Sequence, residues 1–170
     1  MMIKRGFTLV EILVVITIIA TLAGITYPVA RSFIGKSREA SCLNNLRSLG
    51  VALEGYLQEN NNIMPTLKLG RSSKTEDVPV LETVLLPYIQ APQAFQCPAD
   101  KVQFEKSGSS YLWVFIVNGD PASKLTFFNN DSRPDKIPLI TDKEAWHPNG
   151  TNFLYADYSA TNKPRFAVSN

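Results

Sequence analysis

The sequence predicts an α+β fold in which a long N-terminal helix, one half apolar and one half amphipathic, packs on a small antiparallel sheet. Three observations predict it. The 24 residues from Phe7 to Ala30 carry a single ionisable side chain, Glu11. Beyond Arg31 the apolar residues recur at spacings of three and four, the period of a helix with one buried face. After residue 60, short runs of β-forming residues alternate with turn residues, which favours strands joined antiparallel.

Taken as a helix, residues 7–30 extend roughly 36 Å, enough to cross a bilayer. Glu11 then needs a reason to be there. An acidic residue at the centre of a membrane helix costs about 2.5 to 3.5 kcal/mol on the insertion scale, and less near an end. Cleavage of the chain between Gly6 and Phe7 would create a cationic amine four residues before Glu11, within reach of this Glu11 or that of a neighbouring chain. Either pairing converts a cost into a recognition device. Near the far end lie Gly24 and Pro28. Proline removes a helix donor and crowds the preceding turn, so a kink or local unwinding is expected there.

Residues 31–59 continue the helix. Ala40, Leu43, Leu46, Gly50, Leu53 and Leu57 fall on one stripe, which is expected to face the sheet. Asn60-Asn61-Asn62 can adopt left-handed geometry and Pro65 blocks continuation, so the helix ends near Glu59. Residues 60–170 make a globular α+β head. Within it, Val80 to Ile89 reads as a short helix or turn broken at Pro87, with Leu81, Leu85 and Leu86 in the core. Tyr111 to Val117 reads as a central strand, with Leu139–Thr141, Asn152–Ala156 and Arg165–Val168 as further strands.

Seventeen basic and 15 acidic residues give a net charge of +2. This leaves no basic footprint, and nucleic acid is not expected as a partner. Positive residues flank both ends of the apolar run, so charge counting does not set its orientation. The sole histidine, His147, would need a nucleophile and an orienting acid to act as a catalytic base. Asp142, Asp157 and several serines exist, but no nucleophile motif surrounds them. His147 therefore reads as a structural residue hydrogen-bonded to a hairpin, and the chain as no enzyme. Two cysteines and one histidine are too few for a zinc site.

Lys4-Arg5-Gly6, then Phe7-Thr8-Leu9-Val10-Glu11, then an apolar run resembles the class III signal of type IV pilins and type II secretion pseudopilins. The resemblance implies that residues 1–6 are a leader and that a membrane-embedded prepilin peptidase cuts after Gly6. The same enzyme would methylate Phe7, and Glu11 would guide assembly. It also implies partial melting of the helix near Pro28 in assembled filaments. The implied placement is a single pass through the bacterial inner membrane with the head periplasmic or extracellular. Three plainer readings compete. An ordinary secretory signal, cut near Thr21-Leu22-Ala23, would have a shorter apolar run without Glu11. An uncleaved anchor leaves Glu11 and the Gly6-Phe7 junction unexplained. A buried core helix would be too long and too apolar for a chain of this size.

With the head outside the cytoplasm, a Cys42–Cys97 disulfide is permitted, closing a loop of about 55 residues and contributing roughly 4 kcal/mol. The other reading is two unlinked buried thiols. A second resemblance covers Ser41-Cys42-Leu43-Asn44-Asn45-Leu46, Leu86-Pro87-Tyr88-Ile89 and Phe95-Gln96-Cys97-Pro98-Ala99-Asp100. These look like a subgroup of pseudopilin-like proteins named for an H-X9-DG segment. Here His147 is followed by nine residues and Asp157, but Tyr158 stands where that subgroup has glycine. Tyrosine does not take positive φ cheaply, so a longer loop from Asp157 through Asn162 is expected. No cofactor is implied except calcium, which some major pseudopilins hold with C-terminal loop oxygens; Asp142 and Asp157 could imitate that. The function expected is that of a structural subunit. It would be processed by the peptidase/methyltransferase and assembled with other pilin-like subunits by a secretion assembly platform, into a type II secretion or type IV pilus-like filament. One alternative is a membrane-anchored or filament-tip binding module that recognises a secreted substrate or surface ligand through an exposed aromatic patch of Trp113, Phe127, Phe128 and Trp146. Another is a membrane-tethered hydrolase centred on His147.

Overall fold

Helix α1 (Leu9–Glu59) is the longest element, 51 residues and about 77 Å. The computed structural model describes residues 8–89, 91–127 and 132–166, so Gly6 and Phe7 lie outside the described residues. Thr8 caps α1, its hydroxyl accepting from the Glu11 amide at 3.3 Å. The Glu11 carboxylate reaches back to accept from the Thr8 amide and hydroxyl, both at 2.8 Å, completing a capping box. The helix runs unbroken past Gly24 and Pro28.

The two halves of α1 differ in what they touch. Every residue from Thr8 to Ile34 is exposed, although this stretch is apolar and long enough to cross a membrane. The hydroxyls of Thr17, Thr21 and Thr26 donate to the carbonyls of Leu13, Ile18 and Leu22, so these polar groups are satisfied without water. From Glu39 onward one face is covered by the head: Glu39, Cys42, Leu46, Leu49, Gly50, Ala52, Leu53 and Leu57 are buried. This shifts the stripe read from the sequence. Ala40 is exposed and Leu43 half-buried, because the covered face is centred on the line from Cys42 through Leu46 and Leu49 to Leu53.

The head follows a left-handed corner at Asn61 and Asn62, both at φ 55°, with the Asn62 amide donating to Leu57 O at 2.9 Å. Short helices α2 (Leu81–Leu85) and α3 (Gln103–Ser107) precede an antiparallel sheet of β1 (Tyr111–Trp113), β2 (Pro138–Asp142), β3 (Phe153–Tyr155) and β4 (Ala160–Thr161), in the order β1-β2-β3-β4. Helix α1 packs on β3 and β4. Leu46, Leu49 and Leu53 from the helix and Trp113, Ile140 and Leu154 from the sheet make one core.

Four further sequence expectations are corrected. Tyr111–Val117 is not a central strand: β1 stops at Trp113 on the sheet edge, and Phe115–Val117 winds into a 3-10 turn. Asn118 pulls it there, its Oδ1 accepting from Trp113 Nε1 at 2.7 Å and its Nδ2 donating to Leu67 O at 2.8 Å. Arg165 and Phe166 are not in a strand, the Arg165 amide donating instead to Tyr155 Oη at 2.8 Å, and residues 167–170 lie outside the described ones. Leu86 opens a 3-10 turn and is exposed, whereas Leu81 and Leu85 are buried. The loop after Asp157 is short, not long. Tyr158 itself takes φ 60° and its amide donates to Tyr155 O at 2.9 Å, so β4 begins at Ala160. Its ring lies against Gly50 of α1, and that packing opposes a left-handed cost of roughly 1–2 kcal/mol.

Candidate functional site

Two regions concentrate chemistry. The first is the start of α1. A lone carboxylate at the head of an apolar helix is favoured by the partial positive charge of the unpaired amides there. Glu11 uses Oε2 for Thr8. No partner for Oε1 occurs among the described residues, so that oxygen can accept from a donor outside them.

The second region is where the head clasps α1. A disulfide joins Cys42 of the helix to Cys97, with Cα atoms 5.1 Å apart. Cys97 is held by its surroundings: its amide donates to Ser110 Oγ at 2.9 Å, and that hydroxyl donates to Asp100 Oδ2 at 2.6 Å. Asp100 also accepts from the amides of Val102, Gln103 and Phe104 at 2.7–2.8 Å. Burial pushes its carboxyl up, but these hydrogen bonds outweigh burial and hold it below the ordinary carboxylate value.

His147 sits against the disulfide. Its Nε2 is 3.3 Å from Cys97 Sγ and 3.6 Å from Asp142 Oδ2, and both side chains are buried. Burial lowers the imidazole and raises Asp142 to about 7, so the pair is pushed toward its neutral forms. Asp142 Oδ2 accepts from the Asn152 amide at 2.8 Å. Among the described residues, Asp142 Oδ1, His147 Nδ1, Tyr111 Oη and the Asn152 side-chain amide are buried with no hydrogen-bond partner. The His147 carbonyl accepts from Gly150 at 3.0 Å, with Gly150 at φ 94°, closing the Asn149-Gly150 turn.

His147 and Asp157 are not brought together. Asp157 lies in the β3–β4 loop, where Oδ1 accepts from the Ser159 amide and hydroxyl at 2.9 and 2.5 Å and Oδ2 stands 3.6 Å from Arg165. Asp142 and Asp157 therefore engage separate partners. Trp113 is fully buried, Phe127 packs edge-on to Phe166, and Trp146 donates to Glu144 at 3.1 Å, while Phe128 lies outside the described residues.

Comparison with known proteins bears on the first region. Residues 1–27 match the family described as the prokaryotic N-terminal methylation motif. Over 58 residues the chain is 35% identical to the type IV major pilin protein PilA of Myxococcus xanthus (strain DK1622), covering 34% of this chain and 26% of that one. Over 82 residues it is 33% identical to fimbrial protein Q of Moraxella bovis, covering 47% of this chain and 50% of that one. Over part of its length the chain is similar to type IV pilins. It spans a quarter to a half of the length of these curated relatives. No solved structure gives a significant match.

One buried charge of this chain escapes a reading of its sequence. Glu39 is buried on α1, accepting from Asn149 Nδ2 at 3.1 and 3.2 Å and from Asn162 Nδ2 at 2.8 Å. It latches two head loops to the helix, one turn before the disulfide. Its spacing from Cys42, Leu46, Leu49, Leu53 and Leu57 puts it on the buried stripe, the one indication that it is not a surface charge.

Proposed function

We propose that this chain is the precursor of a structural filament subunit, cut after Gly6, N-methylated at Phe7 and assembled through residues 7–30. The supporting observation is that all of α1 from Thr8 to Ile34 is uncovered by protein, with its one carboxylate at the capped start, in a segment matching the methylation motif. In the membrane this stretch is solvated by lipid. In a filament it would be solvated by the same stretch of neighbouring subunits, an exchange between apolar surroundings with little net hydrophobic drive. Register then falls to the polar group. Glu11, freed from Thr8 or using its second oxygen, pairs with a neighbour's Phe7 amine, since an unpaired charge there is costly. The partners are a prepilin peptidase/methyltransferase, other pilin-like subunits and an inner-membrane assembly platform. The head would lie outside the cytoplasm, where its disulfide persists. Service to a type II secretion system, as opposed to a type IV pilus, is part of this proposal. Names of the relatives favour a structural subunit over an enzyme.

The test is Glu11→Ala and Glu11→Gln in the native host. Both variants are expected to be processed and membrane-inserted, while their share in sheared filaments falls at least about tenfold, consistent with loss of a buried charge pair. Assembly of Glu11→Ala at wild-type level would contradict the proposal. No observation favours the aromatic-patch reading, because Trp113 is enclosed by the core.

A further inference from the structure

We propose that, when the disulfide is reduced, Cys42, Cys97, His147 and Asp142 form a site for one thiophilic divalent cation of the zinc class. Cys42 Sγ, Cys97 Sγ and a ring nitrogen of His147 lie within 4.8 Å of one another, all on buried residues. His147 Nε2 is 3.3 Å from Cys97 Sγ and 3.6 Å from Asp142 Oδ2. A tetrahedral zinc ion with bonds of about 2.0 Å to nitrogen or oxygen and 2.3 Å to sulfur has donor–donor edges of roughly 3.3 to 3.8 Å. Two edges are therefore nearly formed, and opening the sulfur–sulfur bond supplies the third.

The donors come from four elements fixed by other bonds. Cys42 is in mid-helix, Cys97 is held through Ser110, Asp142 ends β2, and His147 is set by the Asn149-Gly150 turn. Such support limits how far each donor can stray. Among the described residues Asp142 Oδ1 is buried with no partner, whereas Oδ2, the oxygen beside His147, accepts from the Asn152 amide, so a cation is met by turning the carboxylate to present Oδ1. Counting cysteines and histidines alone gives three donors; the fold sets Asp142 beside the histidine of that group, Oδ2 lying 3.6 Å from Nε2.

The chemistry balances. A dithiol reductant transfers two electrons and two protons to the disulfide, giving two thiols and the reductant's own disulfide. A dication then binds both sulfurs as thiolates and releases those two protons, and the Asp142 carboxyl gives up its own proton on binding when it starts neutral. Metal and disulfide exclude each other, so bound metal slows reoxidation. This inference does not depend on filament assembly.

The experiment uses the full-length chain in detergent micelles, reduced anaerobically with a phosphine and titrated with Co2+. Arg38 and Lys101 line the cleft that reaches His147, so binding is read at equilibrium. One equivalent is expected, with thiolate-to-cobalt charge-transfer bands and the strong visible bands of a tetrahedral ion, displaced by Zn2+. The oxidised chain is expected to show none. His147→Ala, checked for folding in its oxidised form, should bind at least about tenfold more weakly and lose the tetrahedral bands. Equal binding by oxidised and reduced chains overturns the proposal, as does an unchanged spectrum in His147→Ala. A reduced chain that is unfolded and stays so with metal overturns it too.

Discussion

Tyr158 holds a conformation that tyrosine rarely adopts because its ring has somewhere to go. A Cβ built on Gly50 would stand 3.2 Å from Tyr158 Cδ1 and 3.3–3.4 Å from the Leu154 methyls, so helix and hairpin approach at a spot where only hydrogen fits comfortably. Gly50→Val should destabilise the head by about 1–3 kcal/mol through overpacking. In a Tyr158→Gly background the cost should shrink by at least about 0.5 kcal/mol, the coupling expected of residues in contact. Thermal denaturation of the four proteins measures it, and strict additivity would contradict the account. The same contact explains why the sequence misleads here. Tyrosine in place of glycine reads as a longer loop, and the helix residue that compensates lies 108 positions away.

Asp100 carries a pH dependence of definite sign. Its folded-state carboxyl is held low, so its stabilisation is present above the unfolded value of about 3.9 and is lost as pH falls through the lower folded value. Urea denaturation from about pH 5 to about pH 2 should show stability falling, with a smaller slope in Asp100→Asn. Equal slopes would contradict the role given to its four hydrogen bonds.

Among the elements, α1 was the most legible, since continuous apolarity followed by a three-four period has few other solutions. Its buried face was readable only to within part of a turn, because Ala40 and Leu43 match the period as well as Glu39 does and burial of a carboxylate depends on Asn149 and Asn162 far along the chain. Glu39→Ala should leave both amides short of an acceptor and cost about 1–3 kcal/mol. Hydrogen exchange should then rise in residues 149–152 and 160–163. Unchanged protection there would remove the latch. Strands β2 and β3 were visible as β-forming runs, whereas β1 ended early because Asn118, a side chain, competes for the backbone's path. The disulfide ties the same stretch of α1 to the head. Replacing Cys42 with Ser, in chelator, should cost about 2–5 kcal/mol by denaturant titration.

Across the whole molecule, α1 is at once the core helix of the head and an uncovered apolar rod. The division falls between Ile34 and Glu39, where exposure gives way to the latch, the disulfide and the leucine face. A head that grips the helix so firmly beyond Glu39 leaves the preceding stretch free to exchange lipid for neighbours without disturbing the core. The buried His147–Asp142 pair beside the disulfide could not be found from spacing, because its members come together only when the sheet closes on the helix.

The measurement that bears most directly on the central claim is the intact mass and N-terminal sequence of the protein from native membranes. The account predicts a chain beginning at N-methylated Phe7. A chain beginning at Met1, or one cut near Gly24, would contradict it.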